Sequence, residues 1–276
     1  MLVGANLTLL LGPQTRLALA INSIVRQQHA VLSQGGLRAL PARLAQPLVR
    51  RNMDPSEPLD ARREAFSEDT EGLTFLSAVS FLGPPPVSLG QRELLPEAER
   101  WLASLGELSP RSHLVLTIDR LPDFFIAAGS APLERRVRAT PWEVLYELSW
   151  SDLIDEILVA LPDCKLSVLT PDLAAVRSPE TLKLLFGDAA EGLPDPYFLL
   201  RSMISQTGRM VLDRVLAEGK PKLATLEELR ASFGPAATPE EIHERLGIDK
   251  LTQTLLNQRF DEDLEAIGEM PGIEVL

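Results

Sequence analysis

The chain is short of the residues that build disulfide and metal centres. Cys164 is the one cysteine among 276 residues, which excludes an intramolecular disulfide and a thiolate zinc site and points to a reducing compartment. Its bland reading is an ordinary buried thiol. His29, His113 and His243 lie far apart, none with a second ligand at HExxH-type spacing, and read as surface or packing residues. Aromatic residues make up 5% and the net charge is −12, a balance that argues against nucleic-acid binding. No apolar run approaches the roughly 20 residues of a membrane span, because Gly12-Pro13-Gln14 and Arg16 divide the apolar stretches at 7–11 and 16–25. There is no basic segment before Leu2 and no small-residue cleavage site, so the expected location is the cytoplasm. Neither GxxxxGK followed by Ser or Thr nor a GxSxG elbow occurs, which excludes an ordinary P-loop triphosphatase and an elbow-type serine hydrolase.

Acidic residues are absent from positions 1–53, which carry Arg16, Arg26, Arg38, Arg43, Arg50 and Arg51. The other 223 residues hold 21 basic against 39 acidic side chains. Such asymmetry fits an anion-facing surface; it fits equally an arginine-decorated solvent face.

Short apolar runs alternate with helical spacing along the first two thirds of the chain. Residues 6–11 (NLTLLL), 73–78 (LTFLSA), 114–118 (LVLTI) and 165–169 (KLSVL) read as strands buried on both faces, with 37–40 a further short strand. Helical spacing covers 16–33, ended by Gln34-Gly35-Gly36, then 41–51, 58–69 with Ser56 as N-cap, 96–105 with Glu97 in its first turn, 121–128 and 149–160. The last of these starts on a capping-box pattern, Ser149-Trp150-Ser151-Asp152. Gly83 and the prolines at 84–86 close the third strand, and residues 130–148, with Pro132 and Pro141, form an irregular connection. From 179 onward helices are expected at 179–186, 197–217, 225–232, 239–246 and 249–268, with 272–276 a short edge strand. The expected fold is α/β: a parallel sheet covered by helices on both faces, in a single domain 1–276 with a sheet-containing body at 1–178 and a helical C-terminal layer at 179–276.

Ligands of open parallel sheets gather at the carboxyl ends of the strands, so the loops after residues 11, 78, 118 and 169 are the candidates. The order of LTLLLGP and a helix, LSAVSFLG, LTIDRLPDFF, LSWSDLIDEILVALPDCKLSVLTPD and the closing QRFDEDLEAIGEMPGIEVL resembles bacterial sulfotransferase-like proteins across most of the chain. The resemblance implies a P-loop-like sheet and a site for 3′-phosphoadenylyl sulfate. In that family the first loop reads Gly-Pro-His-Lys-Thr-Gly-Thr-Thr, its lysine and hydroxyls holding the phosphosulfate. Here the matching residues are Gly12-Pro13-Gln14-Thr15-Arg16-Leu17-Ala18-Leu19, so the lysine, the glycine and both terminal hydroxyls are gone. The family's arginine and serine for the 3′-phosphate match Asp119 and Ala127, and a carboxylate there repels phosphate. The acidic residue of the third-strand segment is also missing around Ser77-Ala78-Val79-Ser80.

The resemblance therefore implies a degenerate member that has lost ordinary cofactor use and binds a glycan, a protein or an anionic partner. The alternatives are an active sulfotransferase on a carbohydrate hydroxyl with a relocated cofactor site, and a structural or assembly component. The candidate cofactor-binding residues are Gly12, Gln14, Thr15, Arg16, Arg120 and Ser130. Three further readings stay structural. Asp261, Glu262, Asp263 and Glu265 form a solvated helix face; Trp101, Trp142 and Trp150 anchor helices, with a glycan platform as the alternative; and 197–216 is one long helix packed along the sheet.

Overall fold

The computed structural model describes residues 7–52, 57–72, 74–79, 82, 93–108, 112–219, 221–233 and 237–276. Ser56, Gly83 and the prolines at 84–86 lie outside the described residues. Among those described, six strands form one all-parallel sheet: β1 (Thr8–Leu11), β2 (Ala39–Leu40), β3 (Phe75–Ser77), β4 (His113–Thr117), β5 (Lys165–Leu169) and β6 (Ile273–Val275). Their spatial order is β2-β3-β1-β4-β5-β6. The chain leaves β1 toward one edge, builds β2 and β3 there, then crosses to β4 on the other side. The carboxyl ends of β1 and β4 therefore flank the point where the connections part, where an open parallel sheet offers a crevice.

Period-two alternation divides the leucine-rich strands between two cores. Leu9, Leu11, Leu76, Leu114 and Leu116 face one, together with the helices Leu121–Ala128, Trp150–Ala160 and Lys250–Glu269. Leu10, Phe75, Val115 and Leu169 face the other, against Leu17, Ile21 and Ile24 of the helix Arg16–Gln27. The chain beyond residue 178 divides likewise. Leu182, Leu199 and Leu212 join the second core, whereas Ile242, Leu256 and Phe260 join the first. The final short run then returns to the sheet as β6 on the edge of β5.

Several boundaries differ from the sequence expectation, each through local chemistry. Residues 130–148 are two helices, Ala131–Ala139 and Trp142–Tyr146; Pro132 lies in a first turn and Pro141 just before one, where a missing N–H costs nothing. The helix beginning at Arg16 ends at Gln27, because Gln28 leaves the helical region (φ −108°, ψ 18°), and His29–Gln34 is a separate turn. The long helix expected at 197–217 is also divided. Phe198–Met203 stops at Ile204, which bridges to Phe233, and Ser205 accepts a hydrogen bond from the Gly208 N–H to start Gln206–Ala217. The helix expected from Pro96 begins at Ala98, so Glu99 rather than Glu97 is its first-turn acid.

Asp263 is the clearest departure from a solvated helix face, since it is 2% exposed. Its carboxylate accepts hydrogen bonds from the Ser149 hydroxyl (2.8 Å), the Trp150 N–H (2.8 Å) and the Ser151 hydroxyl (3.0 Å). Arg259 stands 3.4 Å away. Asp263 thus closes the N-terminus of Trp150–Ala160, where the helix dipole favours an anion. Trp150, as expected, anchors that helix: it is buried and meets Phe124 edge-on. Asp263→Ala takes this acceptor from the buried Ser149 hydroxyl and Trp150 N–H and the half-buried Ser151 hydroxyl, and is expected to cost about 3 kcal/mol in urea unfolding. Exposed Asp261→Ala on the same helix is expected to stay within about 0.5 kcal/mol.

Candidate functional site

The loop after β1 is four residues long and closed by its own hydrogen bonds. Gly12 takes φ +102°, and a Cβ there would stand 2.8 Å from Leu116 Cδ1, so only glycine lets the chain turn this close to β4. The Thr15 N–H donates to the Pro13 carbonyl (3.0 Å). The Thr15 hydroxyl, fully buried, accepts from the Ala18 N–H (3.1 Å) as the N-cap of Arg16–Gln27. Leu17 and Ala18 follow with no exposed surface, while Gln14 points to solvent. The Thr15 hydroxyl thus takes one of the free N–H groups at this helix N-terminus.

The carboxyl ends of β4 and β5 supply the charge. Asp119 and Arg120 follow Ile118, whose N–H donates to the Leu169 carbonyl (3.0 Å) and ties the two loops together. The indole N–H of Trp150 donates to the Asp119 carbonyl (2.8 Å) and fixes the first of them. Asp123 lies in the first turn of Leu121–Ala128, and Asp172 in the first turn of Pro171–Val176, which Thr170 caps. The loop after β5 is also pinned by the end of the chain: the Leu276 N–H donates to the Val168 carbonyl (2.8 Å), and the Thr170 N–H donates to the Leu276 carbonyl (2.6 Å).

These loops line a cavity of about 360 Å³ at the parting of the connections. Arg16, Arg120 and Arg230 meet Asp119, Asp123 and Asp172 there, with Gln253 and Asn257 across from them on Lys250–Glu269. One oxygen of Asp172 lies 3.6 Å from Arg120 Nη1 and 3.3 Å from Arg230 Nη2. The Arg120 guanidinium also stands over the Phe260 ring, 5.5 Å from its centre. Arg16 Nε donates to Met203 Sδ (3.0 Å). Gln253 is structural, its amide donating to the carbonyls of Pro239 and Ile248.

Asp119 is 4% exposed, and burial raises its carboxyl from 3.8 to about 7. The nearby Asp123 pushes the same way; the Arg120 N–H bonded to Oδ1 (2.9 Å), Arg16 and Arg120 oppose it. Asp123 is raised too, chiefly by burial, against the pull of Arg120, Arg16 and the Ala237 N–H. Near neutral pH the cavity therefore holds three guanidiniums against fewer than three full negative charges. A protonated Asp119 can donate a hydrogen bond, and the arginines can accept the charge of an anion.

Of the six residues singled out in the sequence, Arg16 and Arg120 come together in this cavity. Gly12 and Thr15 shape the turn beside it, Gln14 faces solvent, and Ser130 is an exposed N-cap that accepts from the Leu133 N–H. Asp123, Asp172 and Arg230 were missed. The first two follow strand ends directly and were open to that rule; Arg230 arrives from a distant 3-10 turn, Leu229–Ser232, and left no local signal. Cys164 is half-buried and its thiol is pushed up to about 11 by burial, which leaves it unreactive. His113 bonds Ser167 (2.9 Å) at the opposite end of the sheet, and burial with Lys165 nearby lowers it to about 4. Among the described residues, no three His, Cys, Asp or Glu side chains are grouped to hold a metal ion, and no helix is long and apolar enough to cross a membrane.

Because the folded-state value of Asp119 lies above the ordinary 3.8, its contribution to stability is complete at low pH and is lost as pH rises through about 7. Asp119→Asn is expected to remove that loss, gaining on the order of 4 kcal/mol relative to the parent between pH 4 and pH 8 in chemical unfolding. No protein-family model matches the chain, and no curated protein or solved structure matches it, so the cavity has to be interpreted from its own chemistry.

Proposed function

We propose that the chain is a sulfotransferase-like protein that no longer uses 3′-phosphoadenylyl sulfate and acts by binding a small anionic ligand in the cavity beside β1 and β4. The carrying observation is the closed first loop. A phosphosulfate would need free backbone N–H groups and a lysine; the Ala18 N–H already donates to the Thr15 hydroxyl, Leu17 and Ala18 are committed to the core, and the lysine is absent. Asp119 reinforces this reading, because a buried carboxyl stands where the resemblance expects a phosphate-binding arginine, and its ionised form repels a multiply charged phosphate. What the cavity offers is a set of arginines suited to an anion, within a volume typical of small-molecule sites.

The convergence of Arg16 and Arg120 favours a second reading, a working sulfotransferase with a displaced cofactor site. Ser130, its third element, caps a helix at the surface and does not line the cavity. Calorimetric titration with 3′-phosphoadenosine 5′-phosphate at low salt separates the two. No heat of binding is expected up to millimolar concentration; micromolar binding lost in Arg16→Ala and Arg120→Ala would restore the working enzyme.

A further inference from the structure

The cavity at the carboxyl ends of β4 and β5 presents charges of both signs. Arg120 and Arg230 approach one and the same oxygen of Asp172, at 3.6 and 3.3 Å, and both side chains are partly exposed. Arg230 donates to that oxygen through Nη2 alone, which engages one arm of its fork. Arg120 is held by the charge of Asp172 and by the Phe260 ring. Asp119 and Asp123 line the same cavity from the loop after β4 and the first turn of the helix that follows. Asp119 is buried; its Oδ1 accepts the Arg120 N–H (2.9 Å), and among the described residues no N–H or O–H donates to its Oδ2. Pro122, Phe233 and Ile242 add apolar wall beside these groups.

A ligand with a single charge meets like charge here. A simple anion at the guanidiniums stands beside the aspartates, and a simple cation at the aspartates stands beside the guanidiniums; either juxtaposition costs affinity. A molecule that carries both charges a few atoms apart meets the opposite sign at each end. Resting on the reading of this cavity as the site of a small ligand with an anionic group, we propose that the ligand is a zwitterionic α-amino acid with an apolar side chain. Its carboxylate lies in the forks of Arg120 and Arg230, a pairing for which the planar guanidinium is shaped. Its ammonium, with three donors, lies against Asp119 and Asp123. Its side chain lies against Phe233 and Ile242. The match requires no net charge from the cavity, only that its two signs stand apart.

Calorimetric titration of the full chain at neutral pH and low salt compares L-leucine with isocaproate, which lacks the amino group, and with isoamylamine, which lacks the carboxylate. L-Leucine is expected to bind about tenfold or more tightly than either. Arg230→Ala, at an exposed turn, is expected to weaken L-leucine by about tenfold. Asp123→Asn is expected to bring L-leucine and isocaproate to similar affinity while isocaproate stays bound, a result that loss of the fold would not give. Absence of L-leucine binding, either analogue binding as tightly as L-leucine, or an unchanged preference in Asp123→Asn would each overturn the proposal. Binding of 3′-phosphoadenosine 5′-phosphate in the same protein would instead overturn the parent reading; failure of L-leucine alone leaves that reading standing.

Discussion

Strand β1 pairs with β3 on one edge and β4 on the other, and its leucines press alternately into the two cores, so the chain can leave it only through a tight turn at its carboxyl end. That constraint organises the rest of the molecule. Gly12 turns against β4 without room for a Cβ, Thr15 caps the next helix at once, and the helix is drawn onto the sheet by Leu17, Ile21 and Ile24. The burial that secures the strand fixes this loop as well.

The charged cavity exists because the loops after β4 and β5 are held rigid from behind. Trp150 bonds the Asp119 carbonyl, and its own helix is capped by Asp263 from the last long helix. Leu276 ties down the loop that presents Asp172. Burial and the nearby Asp123 keep Asp119 neutral to about pH 7, and burial raises Asp123 against the pull of Arg120 and Arg16. The site is therefore a balance between desolvation, which acts on Asp119, and Coulombic attraction, which holds Asp172 between two guanidiniums.

Much of the framework was legible before any coordinates. Four apolar runs are β1, β3, β4 and β5, and the bounds of Leu121–Ala128 and Pro239–Leu246 coincide with the helices expected at 121–128 and 239–246. The misreadings share a cause. In the sequence Pro132 and Pro141 suggest irregular chain, although a proline is equally at home at a helix start. Asp263 sits in a run of acids that looks solvated, and only the packing of two distant helices turns it inward. The break between Phe198–Met203 and Gln206–Ala217 depends on Ile204 bridging to Phe233, a contact that periodicity cannot register.

The sequence alone determined the α/β architecture, because strand and helix periods are local properties, and it excluded the GxxxxGK pattern in the first loop, because that is read directly from its residues. Tertiary structure decided how the cavity is assembled. Arg16, Asp119, Asp172 and Arg230 are scattered over more than two hundred positions and meet only through the crossover from β3 to β4 and the return of the C-terminal helices. The state of Asp119 was likewise beyond the sequence, since it follows from how much water the surrounding elements exclude.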